Sequence, residues 1–180
     1  MSSYEVDPGR LPPRGFGYLG DEVRRGGTWD RAEVEDALRH YHAMADRAVE
    51  LGDWNVWADV FTDDAIYVEH HYGVMRGSKE IRDWICGVMS AGTNPDMFFP
   101  VEQSITMIND DVVGIYVPNR YKDPVDPAGQ PYQFVSYTIL LYAGNRQWCY
   151  EEDIYNVQEA MRVHDLYAEA KRQSGATSGG

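Results

Sequence analysis

Glu69, His70 and His71 close an apolar run, Ala65 to Val68, and put three adjacent titratable side chains where a general base is useful. A strand's two-residue period sends Ala65, Tyr67, Glu69 and His71 to one face and Ile66, Val68 and His70 to the other. If the first face lines an aromatic cavity, desolvation raises the Glu69 pKa and makes it a competent base near neutral pH, with His71 beside it. The plainer reading is a solvated strand end above a buried Ile66 and Val68. His70 is a further candidate for ligand contact. Glu69 and His71 supply at most two metal ligands, and no HxxxH or CxxC spacing offers the rest, so no metal site is expected.

A second acidic group lies in the last extended run, where Trp148, Tyr150, Glu152, Ile154 and Asn156 share a face by strict alternation. A carboxylate among apolar neighbours is buried with a partner or marks an exposed face. Glu152 is accordingly assigned either to the pocket or to a structural ion pair, with Arg120 as its counter-ion. Asp153, with Glu151 and Tyr155, falls on the opposite face, expected to be solvated or at an interface. Tyr67, Trp84, Tyr116, Tyr132 and Phe134 are the expected cavity aromatics. Gly15 to Gly20 matches GxGxxG, but Pro12-Pro13 precedes it where a strand is needed, so no nucleotide cofactor is expected.

The elements that must position these residues are legible as periods. Asp30 and Glu33 have capping-box spacing and open a helix to about Leu51 whose stripe is Val34, Ala37, Leu38, Tyr41, Ala45 and Ala48, with Gly52 as its stop. Trp54, Trp57, Ala58 and Phe61 make a short second helix. Asp63-Asp64 reads as a turn before the Ala65 to Val68 strand. Gly77-Ser78 precedes a third helix bearing Ile81, Trp84, Ile85, Val88 and Met89. From about Met97 the period is two, over runs near 98–108, 112–121, 132–143 and 147–156. Turn clusters at Asn109-Asp110, Asp123 to Gln130 and Gly144-Asn145 separate them, as in an antiparallel meander. A final helix is expected over 157–173.

The chain thus divides into an extended arm (1–29), one α+β domain (30–173) and a flexible tail (174–180). A net charge of −13 opposes binding to nucleic acid or to an anionic membrane surface. Two cysteines, no apolar leader and no long apolar run point to the cytoplasm and away from membranes.

Gly52-Asp53-Trp54, Phe61-Thr62-Asp63-Asp64-Ala65 and Arg76-Gly77 followed by Ile81-Arg82 resemble, in wording and order, the SnoaL-like members of the nuclear-transport-factor-like superfamily. The resemblance spans about residues 31–156 and implies a cone-like curved antiparallel sheet wrapped around an N-terminal set of helices and enclosing a pocket. In the ketosteroid isomerases of that superfamily a catalytic carboxylate stands four residues after the Ala of the Phe-x-Asp-Asp-Ala phrase, which is Glu69 here. Their first-helix Tyr falls on Ala45, one turn after Tyr41, and their second acid falls near Ser136. Related dehydratases space a Tyr and an Asp as Tyr41 and Asp46 are spaced, but the position of their His is occupied by Met97-Phe98-Phe99.

The resemblance implies an enzyme without cofactor that abstracts a proton beside a carbonyl of an apolar cyclic ketone such as a steroid or polyketide. The outcome is isomerisation, dehydration or cyclisation. Glu69 is the base, and Tyr41, His71 or Ser136 donates to the enolate. It also implies a homodimer formed through the outer sheet face. The alternative is a noncatalytic ligand-binding or assembly protein, comparable to dioxygenase β subunits.

Overall fold

The computed structural model describes residues 18–122 and 131–177. The glycines at 15 and 17, most of the arm, the 123–130 turn cluster and residues 178–180 lie outside the described residues.

Helix α1 (Arg31–Leu51) buries the six residues of its expected stripe, Val34 to Ala48. Gly52 ends it in the left-handed region (φ 64°), a conformation that costs glycine nothing. The capping box does not form. Asp30 makes no side-chain cap: the Glu33 N–H donates to the Asp30 backbone carbonyl at 2.9 Å, and the Glu33 carboxylate accepts from the Tyr142 hydroxyl at 2.9 Å, which ties the helix start to the sheet. Helix α2 (Asn55–Ala58) leads into strand β1 (Phe61–Glu69), which is longer than expected. Asp63 and Asp64 lie inside that strand rather than in a turn. Their side chains are exposed and meet Ser78 and Arg25, so no carboxylate is buried by extending the strand there.

Strand β2 (Gly73–Arg76) returns antiparallel on β1, a short hairpin arm that the alternation does not announce. Helix α3 (Ser78–Met89) follows, with Ile81, Ile85 and Met89 buried. The expected 98–108 run is broken by a single turn of 3-10 helix (Val101–Gln103) into β3 (Met97–Phe98) and β4 (Ile105–Asn109), both of which pair with β5 (Val112–Tyr121). Strands β6 (Gln133–Gly144) and β7 (Gln147–Tyr155) complete a sheet ordered β2-β1-β7-β6-β5-β3, with β4 also on β5. The β5, β6 and β7 pairings are antiparallel as expected, but β1 runs parallel to β7 and continues the curved sheet, which stays open between β2 and β3. Helix α4 (Val157–Thr177) covers the open end, burying Ala160, Val163 and Tyr167.

The core lies between the concave sheet face and the helices, where Val34, Trp57, Phe61, Tyr67, Ile81 and Trp148 pack together. A smaller cluster on the other face, containing Ile66, Val68, Cys149 and Tyr150, is covered by Leu19 and Val23 of the arm. Arg24 pins that arm by donating two hydrogen bonds to Asp111 (2.8 and 2.5 Å). Among the described residues no helix is long and apolar enough to cross a membrane.

One irregularity decides the site. Leu141 pairs with Tyr150 and Tyr142 with Trp148, so Cys149 is an extra residue in β7, a bulge. Trp148 joins the inner core while Cys149 and Tyr150 both join the outer cluster. Beyond the bulge the alternation is inverted, and Glu151, Asp153 and Tyr155 face inward.

Candidate active site

A cavity of about 240 Å³ opens between the concave sheet face and helices α1, α3 and α4. The register lays its polar wall out in rows. Ile115, Thr138, Asp153 and Glu69 are successive cross-strand neighbours, flanked by the pair Glu151 and Tyr67 and by Val117, Ser136 and Tyr155. All of these line the cavity.

Asp153 stands at the centre. Its Oδ1 accepts from the Thr138 hydroxyl at 2.5 Å and its Oδ2 from the Tyr67 hydroxyl. Burial raises its pKa, and those two hydroxyls work against the rise. Glu69 is 4 % exposed, inward as expected. Its Oε2 accepts the backbone N–H groups of His71 and Tyr72, both at 2.6 Å, and its Oε1 accepts the Tyr155 hydroxyl. The side chain therefore ties down the turn that follows β1 as well as facing the cavity. Burial pushes its pKa up against those three donors. Glu151 is 1 % exposed. Its Oε1 accepts from Tyr41 at 2.9 Å, while its Oε2 has no hydrogen-bond partner among the described residues. Burial, then the nearby Asp153 charge, hold its carboxyl well above the usual range. The Tyr41 and Tyr67 hydroxyls are pushed far up by burial and remain donors.

Ser136 Oγ accepts from Asn119 Nδ2 at 3.0 Å, which leaves its own proton to donate. His42, also on the lining, is lowered by burial to about 4 and is neutral at neutral pH. Burial lowers His71 as well. Trp54, Trp57, Trp84, Phe99 and Phe134 supply much of the apolar lining. Among the described residues no group of three or more His, Cys, Asp or Glu is arranged to hold a metal ion.

Of the residues singled out from sequence, Glu69, His71, Tyr41, Ser136, Tyr67, Trp84 and Phe134 line this cavity. Five do not. Glu152 is on the outer face because of the Cys149 bulge, where it accepts from Tyr150 (2.7 Å) and pairs with His70 (2.9 Å), the first residue of the turn after β1. The expected Arg120 counter-ion is absent from that cluster; Arg120 sits 6.0 Å from the Phe98 ring centre. Tyr116 packs against Tyr137 on the outer face of β5 and β6, and Tyr132 stacks edge-on with Tyr167, away from the lining. Asp46 is on the exposed side of α1.

Glu151, Asp153, Thr138 and Asn119 were missed. A signal existed for the first two: in Glu151-Glu152-Asp153 within an apolar strand, any register sends at least one acid inward.

The sequence pattern described as the SnoaL-like domain matches residues 30–146. No curated protein matches the chain. Among solved structures, an NTF2-like protein from Anabaena variabilis is 12% identical, with 73% of this chain and 96% of that one covered at a TM-score of 0.56. A hypothetical protein of ketosteroid isomerase-like fold from Catenulispora acidiphila, in complex with trimethylamine, is 18% identical (74% and 95% covered, TM-score 0.56). A protein provisionally named a polyketide cyclase, from Xanthomonas campestris, is also 18% identical (74% and 98% covered, TM-score 0.54). At these identities the likeness is one of fold.

Proposed function

Because the chain belongs to the family of SnoaL-like domains, we propose that it is a small-molecule enzyme whose side-chain carboxyl groups move protons on an apolar cyclic ketone, such as a steroid or polyketide. The reaction begins with removal of a proton beside the carbonyl and leads to isomerisation, dehydration or cyclisation. The chemistry draws on side chains alone.

The observation that carries this reading is Asp153, a carboxylate on the wall of an aromatic cavity, between Glu69 and Glu151, with its pKa raised above the ordinary carboxylate value by burial. It is a better base than Glu69. Each Asp153 oxygen accepts one hydroxyl and keeps a lone pair, whereas Glu69 Oε2 is filled by two N–H groups and only Oε1 has room. In this reading Asp153 takes the proton. Ser136, whose oxygen is held by Asn119, donates to the carbonyl oxygen as it becomes an enolate. Glu69 fixes the turn and Tyr155 and stands as the second base.

The test is turnover on a ketone found by screening. Asp153→Asn removes it and Glu69→Gln weakens it, both folded; undiminished turnover in Asp153→Asn overturns the assignment. Tight ligand binding without turnover favours the binding or assembly role instead.

A strip of exposed apolar side chains crosses the outer face of β4, β5 and β6, including Ile105 (61%), Met107 (62%) and Tyr137 (53%). We assign it to homodimerisation through the sheet. The two free thiols, Cys86 and Cys149, fit a reducing cytoplasm.

A further inference from the structure

Three carboxyl side chains meet on one wall of the cavity, and among the described residues no lysine or arginine lines it. Three histidines also line it: His42 is held neutral by burial, the same effect lowers His71, and His164 on α4 stands 3.6 Å from Asp165, an acid of its own helix. Glu151 shows the imbalance most sharply, more than nine-tenths buried with Oε2 unpartnered. Buried carboxyls are ordinarily met by a cation or a full set of donors.

What surrounds them is aromatic. Tyr41 and Tyr67, whose hydroxyls reach Glu151 and Asp153, pack edge-on against Trp57 at 5.6 and 6.3 Å. Tyr67 also lies 4.8 Å from Trp84, so ring faces begin where the carboxyls end. Ring faces carry negative potential and attract ammonium groups, most strongly out of water.

We infer that the substrate carries a protonated amine, an apolar ring compound with a basic nitrogen whose ammonium group sits between these carboxyls and the aromatic rings. The inference rests on the reading of this cavity as the substrate site. Positive charge on the ligand supplies what the wall lacks: a donor for Glu151 Oε2 and a counter-charge for the carboxyls, which keeps Asp153 ionised for proton removal. A neutral ligand of the same shape supplies the apolar contact but not the charge.

The probes are cyclohexylmethylamine, a cation at neutral pH, and cyclohexylmethanol, a neutral molecule of nearly the same size that also donates a hydrogen bond. Binding is measured calorimetrically and by tryptophan fluorescence on the full chain at neutral pH. The expected result is that the amine binds about tenfold or more tightly than the alcohol, and that Asp153→Asn and Glu151→Gln, each checked for folding by circular dichroism, reduce that preference. Equal or tighter binding of the alcohol overturns the inference while leaving the cavity as a substrate site. An amine preference unchanged in both variants also overturns it, because the charge is then read elsewhere. If neither probe binds, the substrate-site reading falls along with the inference.

Discussion

Replacing Tyr41 with Phe removes one hydroxyl and leaves the ring, so its effect isolates a single hydrogen bond, the 2.9 Å contact to Glu151 Oε1. Glu151 is 1 % exposed and its Oε2 already lacks a partner, so the loss leaves a buried carboxyl with only the nearby Tyr67 hydroxyl, whose proton is given to Asp153. Orphaning a buried polar group costs about 1–3 kcal/mol. In a chain of this length each kcal/mol lowers Tm by about 2–4 °C. Tyr41→Phe should therefore lower Tm by about 2–12 °C in differential scanning calorimetry at neutral pH. In a Glu151→Leu background both partners are apolar and Tyr41→Phe should cost little. A drop below about 1 °C in the wild-type background, or the same drop in both backgrounds, would refute the reasoning that this contact stabilises a buried acid.

Glu151 also fixes a pH dependence. Its folded-state pKa lies above the ordinary 4.5, so the folded state binds more protons than the unfolded one, and its contribution to stability falls as pH rises from about 4.5 through the folded value. Urea melts at pH near 5 and near 8 should show Glu151→Gln gaining stability over wild type at the higher pH; an advantage confined to the lower pH contradicts the sign. Arg24→Ala releases the arm and leaves the Asp111 carboxylate, 4% exposed, without its partner; because Arg24 itself is 40% exposed the cost should be held to about 1 kcal/mol, a Tm fall of about 2–4 °C. Met107→Glu and Tyr137→Glu place charge on the exposed strip and should shift the protein from dimer to monomer in light-scattering chromatography without lowering Tm; an unchanged mass places the dimer contact elsewhere.

How much of this was legible before any coordinates depended on whether a period ran uninterrupted. Helix α1 kept one stripe from Val34 to Ala48 and ended at a glycine, and both features hold. The inner face of β1 also held, because Ala65, Tyr67 and Glu69 alternate without a break. Strand β7 did not. Counting by two from Trp148 sends Glu152 inward and Glu151 with Asp153 outward, and one extra residue at Cys149 reverses both. A bulge depends on how β6 and β7 pair, which no residue of β7 announces on its own. The centre of the candidate site therefore stayed hidden although its edge, Glu69, was found. Asp63 and Asp64 misled for a related reason: turn formers also sit in a strand where its side chains remain exposed and paired.

The account stands or falls on proton removal by Asp153. The direct measurement is exchange of α-protons for deuterium in a panel of cyclic ketones, followed by NMR in D₂O with wild type, Asp153→Asn and Glu69→Gln. Wild type should exchange at least one ketone well above the buffer rate, and folded Asp153→Asn should be slower by about 100-fold or more. Exchange by Asp153→Asn at the wild-type rate, or by wild type no faster than buffer across the panel, would contradict it.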